Sequence, residues 1–250
     1  MIYKLTEKLK VLANNYGVIG IKQSFEDEGI EINDLILVRR LTDICNIECF
    51  VKIGGCEAKS DINNCIKYGV NNIIAPMIES SFAVSKVTDI TSKYNKLINS
   101  YIVVETKTSF NNLDSILEKG YNTLKGIVVG RSDFSKSYSI DKTQVDSDFI
   151  FDKVKTILLK SKEYNYQTTL GGNISKQSVD FIKKMYFQNL LDKIETRNIV
   201  IDLSKIDIEN LENVIKLAIE FEIELIKYKS TSLTLTLKES NDRIEALVNR

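Results

Sequence analysis

The chain has 250 residues, 43 % of them apolar, a single proline and no low-complexity tract, the scale of one globular domain of the size common among (β/α)₈ barrels. Its 34 lysines and arginines balance 34 aspartates and glutamates, so no global basic field gathers nucleic acid. Histidine is absent, which excludes Ser-His-Asp and Cys-His devices and leaves metal chemistry to oxygen ligands of the kind that suit magnesium, manganese or calcium.

The amino-terminal segment carries Lys4, Glu7, Lys8 and Lys10, so it lacks the apolar core of a signal peptide or membrane span, and a cytoplasmic location with no membrane partner is expected. Cys45, Cys49, Cys56 and Cys65 match no paired zinc spacing and are expected to be reduced and mostly buried.

After an amphipathic opening, Gly17 to Phe25 reads as a first strand, leaving into the acidic run Glu26-Asp27-Glu28, and Ile32 to Asn46 reads as a helix. Glu48 to Ile53 is a second strand closed by Gly54-Gly55, followed by a short helix over Glu57 to Tyr68. Asn72 to Ala75 is a third strand, and Pro76 falls where the sheet stops and a missing donor does no harm. Ser80 to Tyr94 is helical, Tyr101 to Glu105 a fourth strand, Asn111 to Lys119 a helix, and Gly126 to Gly130 a fifth strand running into Arg131 and Asp133. Phe134 to Asp148 lacks periodicity and reads as a mobile loop beside a site. A helix marked by Ile150, Val154, Ile157 and Leu158 follows, then a sixth strand over Tyr166 to Leu170 ending in Gly171-Gly172, and a helix marked by Val179, Ile182 and Tyr186. A seventh strand lies between Leu191 and Leu203, and Leu211 to Leu225 form a strong helical face continuing towards Lys229.

This alternation predicts a parallel α/β fold of the TIM (β/α)₈ type with an irregular closure, Met1 to Leu5 or the alternating Leu233, Leu235 and Leu237 standing as candidates for the eighth strand. The whole chain, 1–250, is expected to be one domain, with a barrel core over about 17–228 and a C-terminal helical extension over 229–250 suited to a homo-oligomer contact.

In such a barrel the strand carboxyl ends share one face, so Glu26, Lys52, Glu79, Glu105, Asp133 and the Gly171-Gly172 turn should converge there. Glu105 and Asp133 end adjacent strands and form a pair suited to a divalent cation; ion pairs with Lys52, Lys107 or Arg131 are the alternative. Gly54-Gly55 and Gly171-Gly172 precede helices, so their N–H groups could receive a carboxylate or phosphate, and tight turns explain each pair equally well. Lys52 and Lys22 are cations on apolar strands and need an anionic partner from protein or substrate; whether Glu195 and Arg197 face the site depends on the limits of the seventh strand.

Taken together, GIKQSFEDEG, VKIGGCEA, IIAPMIESSFA, IVVETKTSFNN, GIVVGRSDFSKS and DKIETRNIV resemble the HpcH/HpaI aldolase and citrate lyase family, over most of the chain from Gly17 to the terminal helix. The resemblance implies the phosphoenolpyruvate/pyruvate type of TIM barrel, with Mg²⁺ or Mn²⁺ held at the positions of Glu105 and Asp133 and the pocket framed by the backbone of Pro76 and of Gly130 to Ser132. It implies a carbon–carbon lyase acting through an enolate on a 2-oxo acid or citrate-like acyl substrate. Lys52 stands where the family offers an arginine, and with no histidine proton transfer falls to water on the metal, Glu26 or Glu79. Lys52 or Arg131 is expected to contact substrate oxygens, with Lys22, Gly54, Gly55, Gly172 and Arg197 around them. Phosphoenolpyruvate chemistry and a barrel kept as a binding or assembly subunit are the competing readings.

Overall fold

A computed structural model describes residues 2–248, with their side chains except at 232–237, 239–242 and 246–248. The chain runs α1 (Ile2–Asn15), β1 (Val18–Ser24), α2 (Ile32–Cys45), β2 (Glu48–Lys52), α3 (Lys59–Lys67), β3 (Asn72–Ala75), α4 (Ser81–Thr91), β4 (Asn99–Val104), α5 (Lys107–Asn111), α6 (Leu113–Gly120) and β5 (Gly126–Gly130). It continues through α7 (Arg131–Ser137), α8 (Asp148–Glu163), β6 (Gln167–Gly171), α9 (Val179–Tyr186), β7 (Lys193–Glu195), β8 (Ile199–Asp202) and α10 (Leu211–Val248). The eight strands close into one barrel in sequence order, so the fold is the expected TIM type.

Side-chain alternation along each strand sorts the core into two layers. Phe50, Ile74, Tyr101, Val103, Val128 and Val200 fill the barrel interior as one cluster. Their neighbours Val51, Ile73, Ile102, Ile127 and Ile201 belong to the larger cluster that packs the strands against the helices.

Strands β1 to β7 pair in parallel, and the closure differs from what periodicity predicts. The stretch Leu191 to Leu203 is two strands, not one: β7 and β8 form an antiparallel hairpin around Thr196–Asn198, and β8 pairs antiparallel with β1. Neither proposed source supplies the eighth strand, because Ile2 onwards is α1 and the 233–237 stretch lies inside α10. Met1, Asn249 and Arg250 lie outside the described residues.

The segment after β5 also differs. Its start is helical, as α7, and Asp146 and the Lys142 carbonyl tie its end to Arg131, Ser178 and Asn173. Cys49 and Cys65 are buried, Cys45 and Cys56 half-buried, and all four are free thiols. Among the described residues no helix is long and apolar enough to cross a membrane.

Candidate active site at the carboxyl-terminal mouth

A cavity of about 440 Å³ opens at the carboxyl ends of the strands, where βα loops of a parallel barrel converge. Its walls carry four cations, Lys22, Lys52, Lys142 and Arg197, and six carboxylates, Asp27, Glu28, Glu105, Asp133, Glu195 and Glu222.

Glu105 leaves β4 as a buried carboxylate, fixed from both sides. Its Oε1 accepts the Met77 N–H (2.9 Å), and the next residue, Thr106, caps α5 by accepting the Ser109 N–H (3.0 Å). The Thr106 hydroxyl in turn donates to Glu79 Oε1 (2.7 Å). The other oxygen, Oε2, faces Gly130, where a Cβ would come within 2.8 Å of it. Asp133 sits in the first turn of α7 on the next unit and lines the same cavity. Burial, opposed by Lys52 and the Met77 N–H and reinforced by Asp133, holds the Glu105 carboxyl above its ordinary value.

The remaining charges pair among themselves. Lys52 Nζ binds Asp27 Oδ2 (2.8 Å), Lys22 Nζ binds Glu195 Oε1 (2.5 Å), and Arg197 Nε lies 3.2 Å from Glu28 Oε1. Glu222 accepts the Thr196 hydroxyl and the Asn198 and Ile199 N–H groups (2.6 and 3.1 Å). Among the described residues neither Glu105 nor Asp133 forms an ion pair, so the expected alternative partners Lys52, Lys107 and Arg131 are not taken up. Burial works against the charge of Lys52, yet Glu105 and Asp27 hold its ammonium above the usual lysine value; this residue stays protonated at neutral pH.

Lys22, Lys52, Glu105, Gly130, Asp133, Gly172 and Arg197 are brought together in this cavity, whereas other residues singled out by sequence lie elsewhere. Arg131, expected to touch substrate, is fully buried outside the cavity wall. Its guanidinium donates to the carbonyls of Gly171 (3.3 Å) and Gly172 (3.0 Å), to Ser178 Oγ (3.2 Å) and to Asp146, and it lies 4.9 Å from the Phe181 ring centroid. Glu26 is exposed beside Gly54, and Glu79 supports Thr106 from outside the cavity. Pro76 is buried and places Met77 at φ +54°, which aims the Met77 N–H at Glu105. Asp61 takes the Gly54 N–H (2.8 Å), so that amide is engaged by the protein itself; Gly55 likewise lies outside the cavity. Gly172, at φ +83°, has a different purpose from anion binding: a Cβ there would lie 2.5 Å from the Ser132 nitrogen and 2.6 Å from that of Arg131.

Asp27, Glu28 and Glu222 belong to the site and were not singled out by sequence. The first two are neighbours of Glu26 whose side chains take the inward positions. Glu222 had a signal: it occupies the apolar stripe of α10, one turn beyond Ala218 and beside Phe221, where a charge needs a buried partner.

The two carboxylates without an ion pair among the described residues, Glu105 and Asp133, fit a hard divalent cation. Both donors are oxygens, acidic groups outnumber basic ones in the cavity, and Mg²⁺ characteristically binds one or two carboxylates and completes its shell with water and substrate. Among the described residues no group of three or more acidic or cysteine side chains is placed to hold a metal ion, so the protein's share of such a shell would be this pair alone.

The HpcH/HpaI aldolase/citrate lyase family model matches residues 37–176, more than half of the chain. Among solved structures, citrate synthase SbnG superposes with a TM-score of 0.64 at 17 % identity, covering 94 % of this chain and 90 % of that one. An HpcH/HpaI aldolase/citrate lyase family protein from Burkholderia cenocepacia J2315 gives 0.63 at 12 % identity, over 76 % and 82 % of the two chains. An HpcH/HpaI aldolase from Desulfitobacterium hafniense DCB-2 gives 0.63 at 10 % identity, over 86 % and 87 %. At these identities the structures establish a shared fold. No curated protein matches the chain in sequence.

Proposed function

Because the chain belongs to the HpcH/HpaI aldolase/citrate lyase family, which makes it a lyase-type enzyme, we propose that it is a divalent-metal-dependent carbon–carbon lyase acting on a 2-oxo acid or citrate-like acyl substrate. The observation that carries this reading is the pair Glu105 and Asp133: every other carboxylate of the cavity is matched to a cation or, for Glu222, to three hydrogen-bond donors, whereas these two, on adjacent βα units, have no ion pair among the described residues and Glu105 is held only by the Met77 N–H on Oε1. They would hold Mg²⁺ or Mn²⁺, which when bound supplies Lewis-acid polarisation of the substrate's oxo group and stabilises enolate charge.

The chain's own residues divide the remaining work. Lys52, protonated and fixed by Asp27, presents a positive charge to a substrate carboxylate or to negative charge developing on oxygen. Its raised value argues against use as a free amine, hence against a Schiff base. Lys142 lines the rim with no ion-pair partner among the described residues and is suited to the distal carboxylate of a dicarboxylic substrate. Glu195, held by Lys22 at 2.5 Å, is a carboxylate of the cavity wall and replaces Glu26 and Glu79 as the candidate proton carrier.

Calorimetric titration with Mn²⁺, followed by turnover of oxaloacetate or by pyruvate–aldehyde exchange, tests the reading. Glu105→Gln and Asp133→Asn should each weaken Mn²⁺ by more than about 100-fold, the upper range for altering outer-shell partners, and abolish turnover. Unchanged binding and turnover in both variants would overturn it, and a wild-type chain that binds neither metal nor 2-oxo acid would favour a binding or assembly subunit.

A further inference from the structure

The opposite mouth of the barrel holds a second polar cavity, of about 470 Å³, and a lysine that the lyase reading does not use. Lys193 on β7 is only 8 % exposed. Its ammonium donates to Gln167 Oε1 (2.6 Å), approaches the Tyr101 hydroxyl (3.5 Å) and lies 5.2 Å from the Tyr101 ring centroid. Among the described residues it has no carboxylate within ion-pair distance, which is rare for a buried cation because desolvating an unpaired charge is costly.

The carboxylates nearby are otherwise engaged. Glu48 accepts the Asn72 side-chain amide (3.0 Å), Asp202 caps Ser204 through its N–H (3.0 Å) and hydroxyl, and Asp192 is bound by Lys162. Lys125 and Lys205 line the same cavity, exposed, and neither forms an ion pair among the described residues. Three lysines therefore face two carboxylates, Glu48 and Asp202, that already have partners.

We propose that this cavity binds a phosphate dianion, free or as a small phosphomonoester, with Lys193 as the buried anchor and Lys125 and Lys205 as the outer clamp. A compact dianion suits point-charge ammonium donors converging from several elements, whereas a planar carboxylate is better matched by a guanidinium fork. The site is separate from Glu105 and Asp133 and lies at the amino-terminal mouth, so it stands whether or not the lyase reading does.

The test is titration of the full chain with inorganic phosphate and, in a second arm, glycerol 1-phosphate, followed by calorimetry and thermal unfolding. Binding should weaken about tenfold or more in Lys193→Met, as expected on losing a charge-assisted contact, and also in Lys125→Ala/Lys205→Ala, whose exposed positions leave folding intact. Binding of phosphate alone identifies the free ion as ligand, and binding of both identifies the phosphomonoester class; either supports the site. The proposal is overturned if neither compound binds, or if Lys125→Ala/Lys205→Ala binds as the wild type does. It is overturned equally if Lys52→Met, at the other mouth, abolishes binding that Lys193→Met leaves intact.

Discussion

Asp146→Ala is the sharpest test of why Arg131 sits where it does. The Arg131 guanidinium is fully buried, and Asp146 is its one anionic partner among the described residues; the remaining acceptors, two carbonyls and a hydroxyl, are neutral. Burial pulls its value below that of a free arginine and Asp146 opposes this, but an arginine does not shed its proton at neutral pH, so the variant leaves an uncompensated charge in the interior. Removing one partner of a buried pair costs about 3–5 kcal/mol. Because the Asp146 side chain is 23 % exposed, water can enter behind it, and about 3 kcal/mol is expected. Urea unfolding followed by circular dichroism measures the change, with an unaltered m-value showing that the transition stays the same. Arg131→Met removes the charge as well, so Arg131→Met/Asp146→Ala should be less destabilised than the sum of the single variants by about 2 kcal/mol. A loss below about 0.5 kcal/mol for Asp146→Ala, or strict additivity, would refute the buried-pair reasoning. Since Arg131 opens the helix that carries Asp133, Asp146→Ala should also weaken Mn²⁺.

Glu105 gives a pH dependence of definite sign. Its value is raised by burial, so its contribution to the stability of the metal-free chain is complete below about pH 4.5 and is lost as pH rises through the folded value. Mn²⁺ competes with that proton, so its affinity should start to fall at a higher pH than for an ordinary carboxylate, measured by titration between pH 7 and pH 5. For the same reason metal-free Glu105→Gln should melt above metal-free wild type at neutral pH; a lower melting temperature would count against the unpaired state of this carboxylate. Gly130→Ala places a methyl 2.8 Å from Glu105 Oε2 and 3.1 Å from its Cβ, so Mn²⁺ binding should weaken alongside an overpacking cost of about 1–3 kcal/mol. Glu222→Leu orphans the Asn198 N–H, whereas Ile199 keeps the Thr196 hydroxyl (3.3 Å), so a loss of about 1–3 kcal/mol in urea unfolding is expected.

Much of this architecture could be read from residue patterns, and the failures have local causes. Strands β3 and β5 coincide with their expected limits because each is an apolar run bounded by proline or glycine. Glu105 and Asp133 follow from the rule that strand ends share a face. Arg131 was misplaced because proximity in sequence is not proximity in space: two residues apart on α7, Arg131 and Asp133 are rotated by about 200° and leave opposite sides of the helix. The β7–β8 hairpin was hidden because its turn, Thr196-Arg197-Asn198, contains neither glycine nor proline. The Asn198 N–H of the turn and the Ile199 N–H that follows it are taken by Glu222, more than twenty residues further on, a non-local contact that no window of sequence contains.

That hairpin explains how a C-terminal helix reaches the mouth. A parallel eighth strand would end at the carboxyl-terminal face, and the following helix would descend away from it. The antiparallel β8 instead returns the chain to the amino-terminal face, where Asp202 N–H bonds to the Gly17 carbonyl (2.9 Å), just before β1. From Leu211 the helix then ascends, and at 1.5 Å per residue Glu222 lies about 17 Å along it, roughly the length of a typical strand. That rise brings Glu222 level with the cavity, where it binds the hairpin turn that made the ascent necessary. Further along, Lys229 donates to Gln23 (2.8 Å) on β1 and pairs with Asp34 (3.2 Å) on α2, so α10 also fastens the first strand at the mouth. The irregular closure is therefore coupled to the site: reversing one strand exchanges a crossover helix for a helix whose side chains hold Thr196, Asn198 and β1 in place around Glu195 and Lys22.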